Sequence, residues 1–342
     1  MTEGIKSTLI ALCSTMSVSG HEYRAEEKIK ELCADIFDEI RRDSMGTVVM
    51  IKRCNKKNAP KLLIDAHLDT VGMMVTDIKD GGFLKVVNIG GLDTRVLPAT
   101  EVTVYGRREI YGLITSTPPH LRKDGEDKLP KITDLMIDTG YTKEELEEIV
   151  SVGDMVGYRY KLTEMAGGFV TTSGLDDKAC ACGIIEAMRL ADRDRLCYDV
   201  YVTISAQEET GKCGVARASF EIEPDIAIIT DVNFARGDGS LEHESIQCRK
   251  GAAVDISALT DKALTRNVIR LLRDKGIKHQ IICEPGRTYT NNEGVLISGK
   301  GVRTMVLSVP LKNMHTPCET VNLEDIKSLG EILLSVAYEE NL

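Results

Sequence analysis

Four runs of apolar, mostly branched residues in this chain lead straight into a carboxylate or an imidazole. KLLIDA (61–66) meets His67-Leu68-Asp69, and YVTIS (201–205) meets Gln207-Glu208-Glu209. DIAIIT (225–230) meets Asp231, and TMVLSVP (304–310) precedes a turn holding His315. Runs this apolar, without polar alternation, predict strands buried on both faces, which requires helices on each side of the sheet. Open α/β sheets place ligands just beyond the carboxyl ends of their strands, so the polar residues there are the candidates for chemistry. A further acid pair, Asp176-Asp177, opens a stretch read as a helix from Leu175 to Asp192.

The remaining segments fit that frame. Residues 1 to about 42 carry apolar positions at helical spacing (Ile29, Leu32, Cys33, Ile36, Phe37, Ile40) and predict helix throughout. Thr47–Lys52, Tyr198–Ser205, Asp225–Thr230 and Arg303–Val309 read as strands; Leu264–Lys275 and Leu323–Tyr338 read as helices. From 71 to 163 the texture changes to Gly- and Val-rich segments bounded by turn residues, as in a small barrel or sandwich, with a polar, Pro-bounded loop at 118–131. This β-rich block interrupts the α/β region, giving domains at 1–70 plus 164–342 and at 71–163.

His67 and Asp69 are two residues apart, so in an extended segment they share a face and the carboxylate can orient the ring. Taken singly, Asp176 or Asp177 reads as a helix N-cap, Glu208-Glu209 as a solvated turn, and His315 as a loop histidine. Taken together, two histidines and several acids on the ends of separate buried strands are the ligand type of a two-metal hydrolase. Other motifs fail. Gly294-x4-Gly299-Lys300 imitates a phosphate-binding loop, but Gly301 stands where Ser or Thr is needed, and G-x-S-x-G, H-E-x-x-H and G-x-G-x-x-G are absent. His21, His120, His243 and His279 lack partnered acids at ligand spacing and read as surface or loop residues.

Composition narrows the choice further. Forty-three Lys+Arg against 53 Asp+Glu give a net charge of −10 over 342 residues, without a basic stripe, which argues against a nucleic-acid partner. Aromatics are 4 % with no Trp, too few for a base-stacking or sugar-binding platform. No apolar stretch nears the ~18 residues of a membrane span, and the N-terminus reads as an amphipathic helix rather than a signal peptide. The ten cysteines lie singly apart from Cys180-x-Cys182, which predicts buried thiols and a reducing, cytoplasmic location, and disfavours a Cys-ligated zinc.

The runs AHLDTVG (66–72), GLDDK (174–178), SAQEETG (205–211), TDVNFA (230–235) and MHTPCE (314–319), in this order, resemble the tetrahedral-aminopeptidase and glutamyl-aminopeptidase family of dinuclear metallopeptidases, some of which carry an endoglucanase label. The stretch PPHL…KITDLMIDTG…VGDMV resembles that family's inserted domain. The resemblance implies an α/β fold with a mixed sheet flanked by helices, zinc-exopeptidase-like, and an inserted small β-barrel-like domain used for oligomerisation. It implies His67 and Asp231 on one divalent metal, Glu209 and His315 on a second, and Asp176 bridging both. Asp69 would orient His67, and Glu208 would be the general base for a hydroxide held by the two ions. Zinc or cobalt suits such ligands best, and manganese is compatible.

The implied activity is removal of N-terminal residues from peptide substrates, with Glu209 and Asp231 receiving the free amine. A dodecameric homo-oligomer is implied, with a dimer as the smaller alternative. Thr70, Asn233, Thr290-Asn291-Asn292-Glu293 and Lys178 depart from the family's usual residues, which bears on substrate preference, while all the implied ligands and the base are present. A carboxypeptidase, an amidohydrolase or deacylase, and a non-catalytic peptide-binding relative are the rival readings. Glycoside chemistry would need two acids but not two histidines.

Overall fold

The computed structural model describes residues 2–116, 130–237, 241–340 and 342. His120 and nearly all of the loop read at 118–131 lie outside the described residues. Helices α1 (Thr2–Cys13) and α2 (Glu26–Cys33) bury Ile5, Leu9, Leu12, Ile29 and Cys33. The helix expected to reach residue 42 is interrupted twice. Gly20 adopts a φ of 87° beyond α1, a conformation that favours glycine. Ile40 lies in strand β1 (Glu39–Arg42), which pairs antiparallel with β2 (Val48–Lys52). That pairing is a tertiary contact to which local periodicity is blind.

Strand β3 (Lys61–His67) is followed by β4 (Gly72–Lys79), β5 (Phe83–Ile89), β6 (Glu101–Tyr105), β7 (Glu109–Ile114), β8 (Ile137–Asp138), α3 (Lys143–Ile149) and β9 (Met155–Tyr158). These six strands from β4 to β9 close into a barrel in the order β4-β5-β8-β7-β6-β9. Its interior holds Val75, Leu84, Val104, Ile137 and Val156, while alternate residues of β7 face out. Then come β10 (Thr163–Met165), β11 (Phe169–Thr172), α4 (Leu175–Leu190), β12 (Asp199–Ser205), α5 (Glu208–Gly211), α6 (Cys213–Ile222) and β13 (Ile226–Phe234). The chain finishes with β14 (Ala253–Ser257), α7 (Lys262–Asp274), β15 (Gln280–Glu284), α8 (Asn292–Leu296), β16 (Arg303–Leu311), β17 (Glu319–Asn322) and α9 (Leu323–Ala337).

The main sheet has eight strands in the order β1-β2-β12-β3-β13-β16-β14-β15. Its four central strands, β12, β3, β13 and β16, run parallel, and β2 and β14 join antiparallel on either side. This is the mixed sheet flanked by helices, with a barrel beside it, that the sequence predicts. Leu62, Ile64 and Leu307 face one core with Ile184 of α4 and Leu329 of α9. Leu63, Ile229 and Val306 face a second core with Val215 and Ile222 of α6 and Val295 of α8. Alternate residues of one strand thus enter two cores, which is why KLLIDA shows no polar alternation.

Two expectations need correction. Strand β13 does not stop before Asp231 but runs to Phe234; its pairing with β3 ends at Ile229, opposite Asp65, and it continues along β16 alone. Asp231 therefore sits within a strand, level with His67 at the end of β3. Six cysteines are buried as expected, but Cys213, Cys283 and Cys318 are exposed and Cys248 is half-buried. Among the described residues no helix is long and apolar enough to cross a membrane.

Candidate active site

The parallel strand ends deliver their polar residues to one place. His67, the last residue of β3, donates its Nδ1–H to the main-chain oxygen of Asp69 at 2.9 Å, which fixes the ring. Its Nε2 then lies 3.0 Å from Oδ1 of Asp176 and 3.8 Å from Oδ1 of Asp231. The second oxygen of Asp176 lies 3.3 Å from Nε2 of His315, and the same nitrogen is 3.3 Å from Oε1 of Glu209. His315 is fixed in turn through Nδ1, 2.8 Å from the carbonyl of Gly91 in the loop after β5. The structure therefore brings together His67, Asp176, Glu209, Asp231 and His315, with the Asp176 carboxylate between the two imidazoles.

Asp69 serves this cluster differently from the sequence expectation. Its carboxylate is 3.7 Å from the His67 ring and instead accepts the backbone N–H of Glu208 at 2.9 Å and of Glu209 at 3.1 Å. The carbonyl orients the histidine and the carboxylate orients the two glutamates. Gln207, which precedes them, adopts a φ of 61°, and its N–H donates to Glu22 at 2.9 Å. Backbone held in the left-handed region by such ties is typical of functional turns.

Three buried acids were given no role from the sequence, although Asp177 was named there beside Asp176. Glu319 accepts N–H bonds from Leu175 at 2.7 Å and Asp176 at 3.3 Å through one oxygen, and from His315 at 2.7 Å through the other. It ties the two sides of the cluster together, and its spacing four residues after His315 was the available signal. Asp177, cis-linked to Asp176, groups with His67 and Asp231 at ligand distances, as Asp176 does with His67 and Glu209. Neither Asp177 oxygen has a hydrogen-bond partner among the described residues, with the Cys180 thiol beside them. Asp65, one turn of the pleat behind His67, is held by Thr203 at 2.6 Å, Ser205 at 3.2 Å and Asn291 at 2.8 Å.

The charges show what this cluster is suited to hold. Burial alone would push His67 and His315 down, yet the surrounding acids hold His67 well above its ordinary value and His315 at about 11. Against the upward push of burial, bonds from both histidines hold Asp176 well below the usual carboxylate range. Burial, with the neighbouring Asp177, pushes Asp231 well up, and burial pushes Asp177 up likewise. Glu208 is raised to about 7 by burial and the adjacent Glu209, and its Oε1 has no hydrogen-bond partner among the described residues; the Lys212 ammonium is 3.8 Å from it. Buried acids in this excess need cations. Divalent ions meet that need and displace the imidazole protons, so the donor set fits such ions.

The cluster opens on a cavity of about 740 Å³ whose wall includes Glu208, Asp231, Asn233, Phe234, Glu284 and Tyr289. Behind it, Thr70, Lys178 and Glu319 line a second cavity of about 40 Å³. The departures from the family's usual residues divide accordingly. Asn233 reaches the cavity wall, where its amide donates to Glu284 at 2.8 Å, whereas Asn291 and Asn292 are buried and bond Asp65 and the Leu259 carbonyl. Glu293 pairs with Arg287 and stands near Lys212. Outside the site, His243 is exposed, and His21 and His279 are half-buried.

Comparison with known proteins gives a consistent set of similarities. A sequence model described as M42 glutamyl aminopeptidase matches residues 46–332. Lysyl aminopeptidase of Pyrococcus furiosus is 31% identical over 328 residues, covering 94% of this chain and 93% of that protein. Aminopeptidase APDkam598 of the archaeon Desulfurococcus kamchatkensis superposes with a TM-score of 0.91 at 27% identity, covering 98% of this chain and 95% of that one. The TET1 peptidase of Pyrococcus horikoshii, which can assemble into a tetrahedron or a large octahedral shell, superposes at 0.86 and 28% identity, covering 98% and 99%.

Proposed function

The chain belongs to the M42 glutamyl aminopeptidase family, and from that premise we propose that it is a dinuclear metallo-aminopeptidase that removes N-terminal residues from peptides. The observation that carries this reading is the Asp176 carboxylate, one oxygen facing His67 and the other facing His315. His67 and Asp231 would hold one divalent ion, with Asp177 beside them, and Glu209 and His315 would hold the other, with Asp176 shared. Ions so placed polarise a scissile carbonyl and make water a nucleophile near neutral pH. Zinc and cobalt suit the donors best, and manganese also fits.

The chain's own residues supply the rest. Glu208, facing the cavity with a carboxyl near 7, takes the proton of the attacking water and passes it to the leaving amine. Asp69 holds the main chain of Glu208 and Glu209, so the base and a ligand move as one unit. Glu209 and Asp231 receive the substrate's free ammonium through charge-assisted bonds. Residues 1–70 and 164–342 form the catalytic domain, and 71–163 form an inserted domain through which copies assemble, as a dodecamer or, failing that, a dimer. The scattered thiols support a cytoplasmic location.

The deciding test uses two peptide pairs, one differing only by N-acetylation and one only by C-terminal amidation. Cleavage that needs the free N-terminus and ignores the C-terminus supports the proposal. Equal cleavage of the acetylated peptide, or dependence on the free carboxylate, would replace it with a deacylase or carboxypeptidase.

A further inference from the structure

In the proposed chemistry Glu208 is a base, while Glu209, the next residue, is a metal ligand. A carboxylate within reach of a divalent cation is drawn onto it, so Glu208 needs a hold that keeps it off the ions its neighbour grips. Asp69 ties down the main-chain amides of both residues and leaves the Glu208 side chain free to turn. Glu208 Oε1 has no hydrogen-bond partner among the described residues.

Lys212 closes the turn that carries both glutamates. It lies between α5 and α6, its N–H donates to the Gln207 carbonyl at 2.7 Å, and its φ is 58°. Glycine takes that left-handed conformation without strain and lysine does not, so the side chain is what the position retains. Its ammonium stands 3.8 Å from Oε1 of Glu208 and 3.6 Å from Oε2 of Glu293, and makes no hydrogen bond among the described residues. Glu293, in the first turn of α8, is already held by Arg287, through Nη2 at 2.8 Å and Nε at 3.2 Å. The next residue, Gly294, packs so closely on the start of α6 that a Cβ there would lie 3.2 Å from the Lys212 carbonyl.

The side chains of Glu208, Lys212 and Glu293 are 9%, 23% and 15% exposed. Every other Lys or Arg ion pair among the described residues has at least one partner more exposed than any of these, so solvent screens this one least. Lys212 forms ion pairs with none of the five clustered side chains among the described residues, and its pull on Glu208 is toward a point outside the cluster. Because Arg287 already satisfies Glu293, the ammonium is steadied on that side without being captured. We propose that Lys212, steadied by Glu293, is a positioning residue that keeps the Glu208 carboxylate facing the cavity as a base and stops it from becoming a further metal ligand. This rests on the reading of Glu208 as the base.

The test compares metal-loaded wild type with Lys212→Met, Lys212→Arg and Glu293→Gln in three ways. Crystal structures locate the Glu208 carboxylate, chelator competition gives metal affinity, and kcat and KM are measured on aminoacyl coumarin amides with basic, acidic and apolar side chains. Lys212→Met should let Glu208 move onto an ion, keep or tighten metal binding, and lower kcat about 10- to 100-fold with little change in KM. Lys212→Arg, which keeps the charge, should recover most of the rate, and Glu293→Gln should act in the same direction as Lys212→Met but more weakly. Lost packing alone would weaken metal binding and rate together; that result, or a Glu208 carboxylate unmoved in Lys212→Met, would overturn the proposal. If wild type cleaves no amide, the aminopeptidase reading falls and the crystal structures still decide: a displaced Glu208 sustains the positioning by Lys212, and an unmoved one removes it.

Discussion

Glu208 and Glu209 are adjacent and tied by their amides to the same Asp69 carboxylate, yet their side chains meet different surroundings. Glu209 meets His315, whereas Glu208 Oε1 has no hydrogen-bond partner among the described residues and faces the cavity. Glu208→Gln should therefore keep two ions per chain by elemental analysis while kcat falls about 10²- to 10⁴-fold, and Glu209→Gln should lose metal. Glu319 touches no candidate ion but holds the amides of Asp176 and His315. Glu319→Gln turns an acceptor into a donor facing an N–H, and should weaken metal affinity about 10- to 100-fold in a chelator competition titration. Asp255, buried on β14, makes a prediction about stability. Burial raises its folded pKa, so its cost is absent below the unfolded value near ~4 and grows as pH rises above it. Asp255→Asn should then gain in melting temperature relative to wild type as pH rises above that value; a difference that stays flat with pH would contradict this. The clustered histidines and acids were legible because His and acids after apolar runs are conspicuous in any sequence. Glu319, the place of Asp177 beside His67 and the task of the Asp69 carboxylate were not, because each depends on which backbone amide or ring another element brings alongside.

At the scale of elements, the central strands were legible wherever both faces are buried, since an unbroken apolar run then has one meaning. Boundaries were lost where a neighbour decides them: β13 runs on past Asp231 because β16 continues to pair with it, and Ile40 is a strand residue because β2 lies opposite. The turn that carries both glutamates is seated by α6, whose second residue, Gly214, packs against the end of β12. A Cβ there would lie 2.4 Å from the Ala206 carbonyl and 2.5 Å from Thr47 Oγ1, too close without backbone movement. Gly214→Ala should cost about 1–3 kcal/mol in urea unfolding and also loosen metal binding, because α5 and α6 are nearly continuous. Unchanged metal affinity in a destabilised variant would show that the turn is anchored by Asp69 alone.

For the whole molecule, the barrel and the catalytic sheet meet at the site through Gly91, whose carbonyl fixes His315. Chelation and assembly should therefore be coupled: light scattering on metal-loaded protein should show a species well above the 37.6 kDa chain, and chelation should shift it to smaller forms. A monomer in both states would separate the two. The barrel's closure also restricts how copies can meet. A closed ring of strands presents no row of unpaired amides, so a neighbouring chain cannot extend it by strand addition, the route that leads to fibres. Contacts through it must be made by outward side chains such as Tyr111, Leu113 and Val152, all exposed. An interface of that kind has a fixed size and comes apart without unfolding either partner, so copies joined through it would be exchangeable.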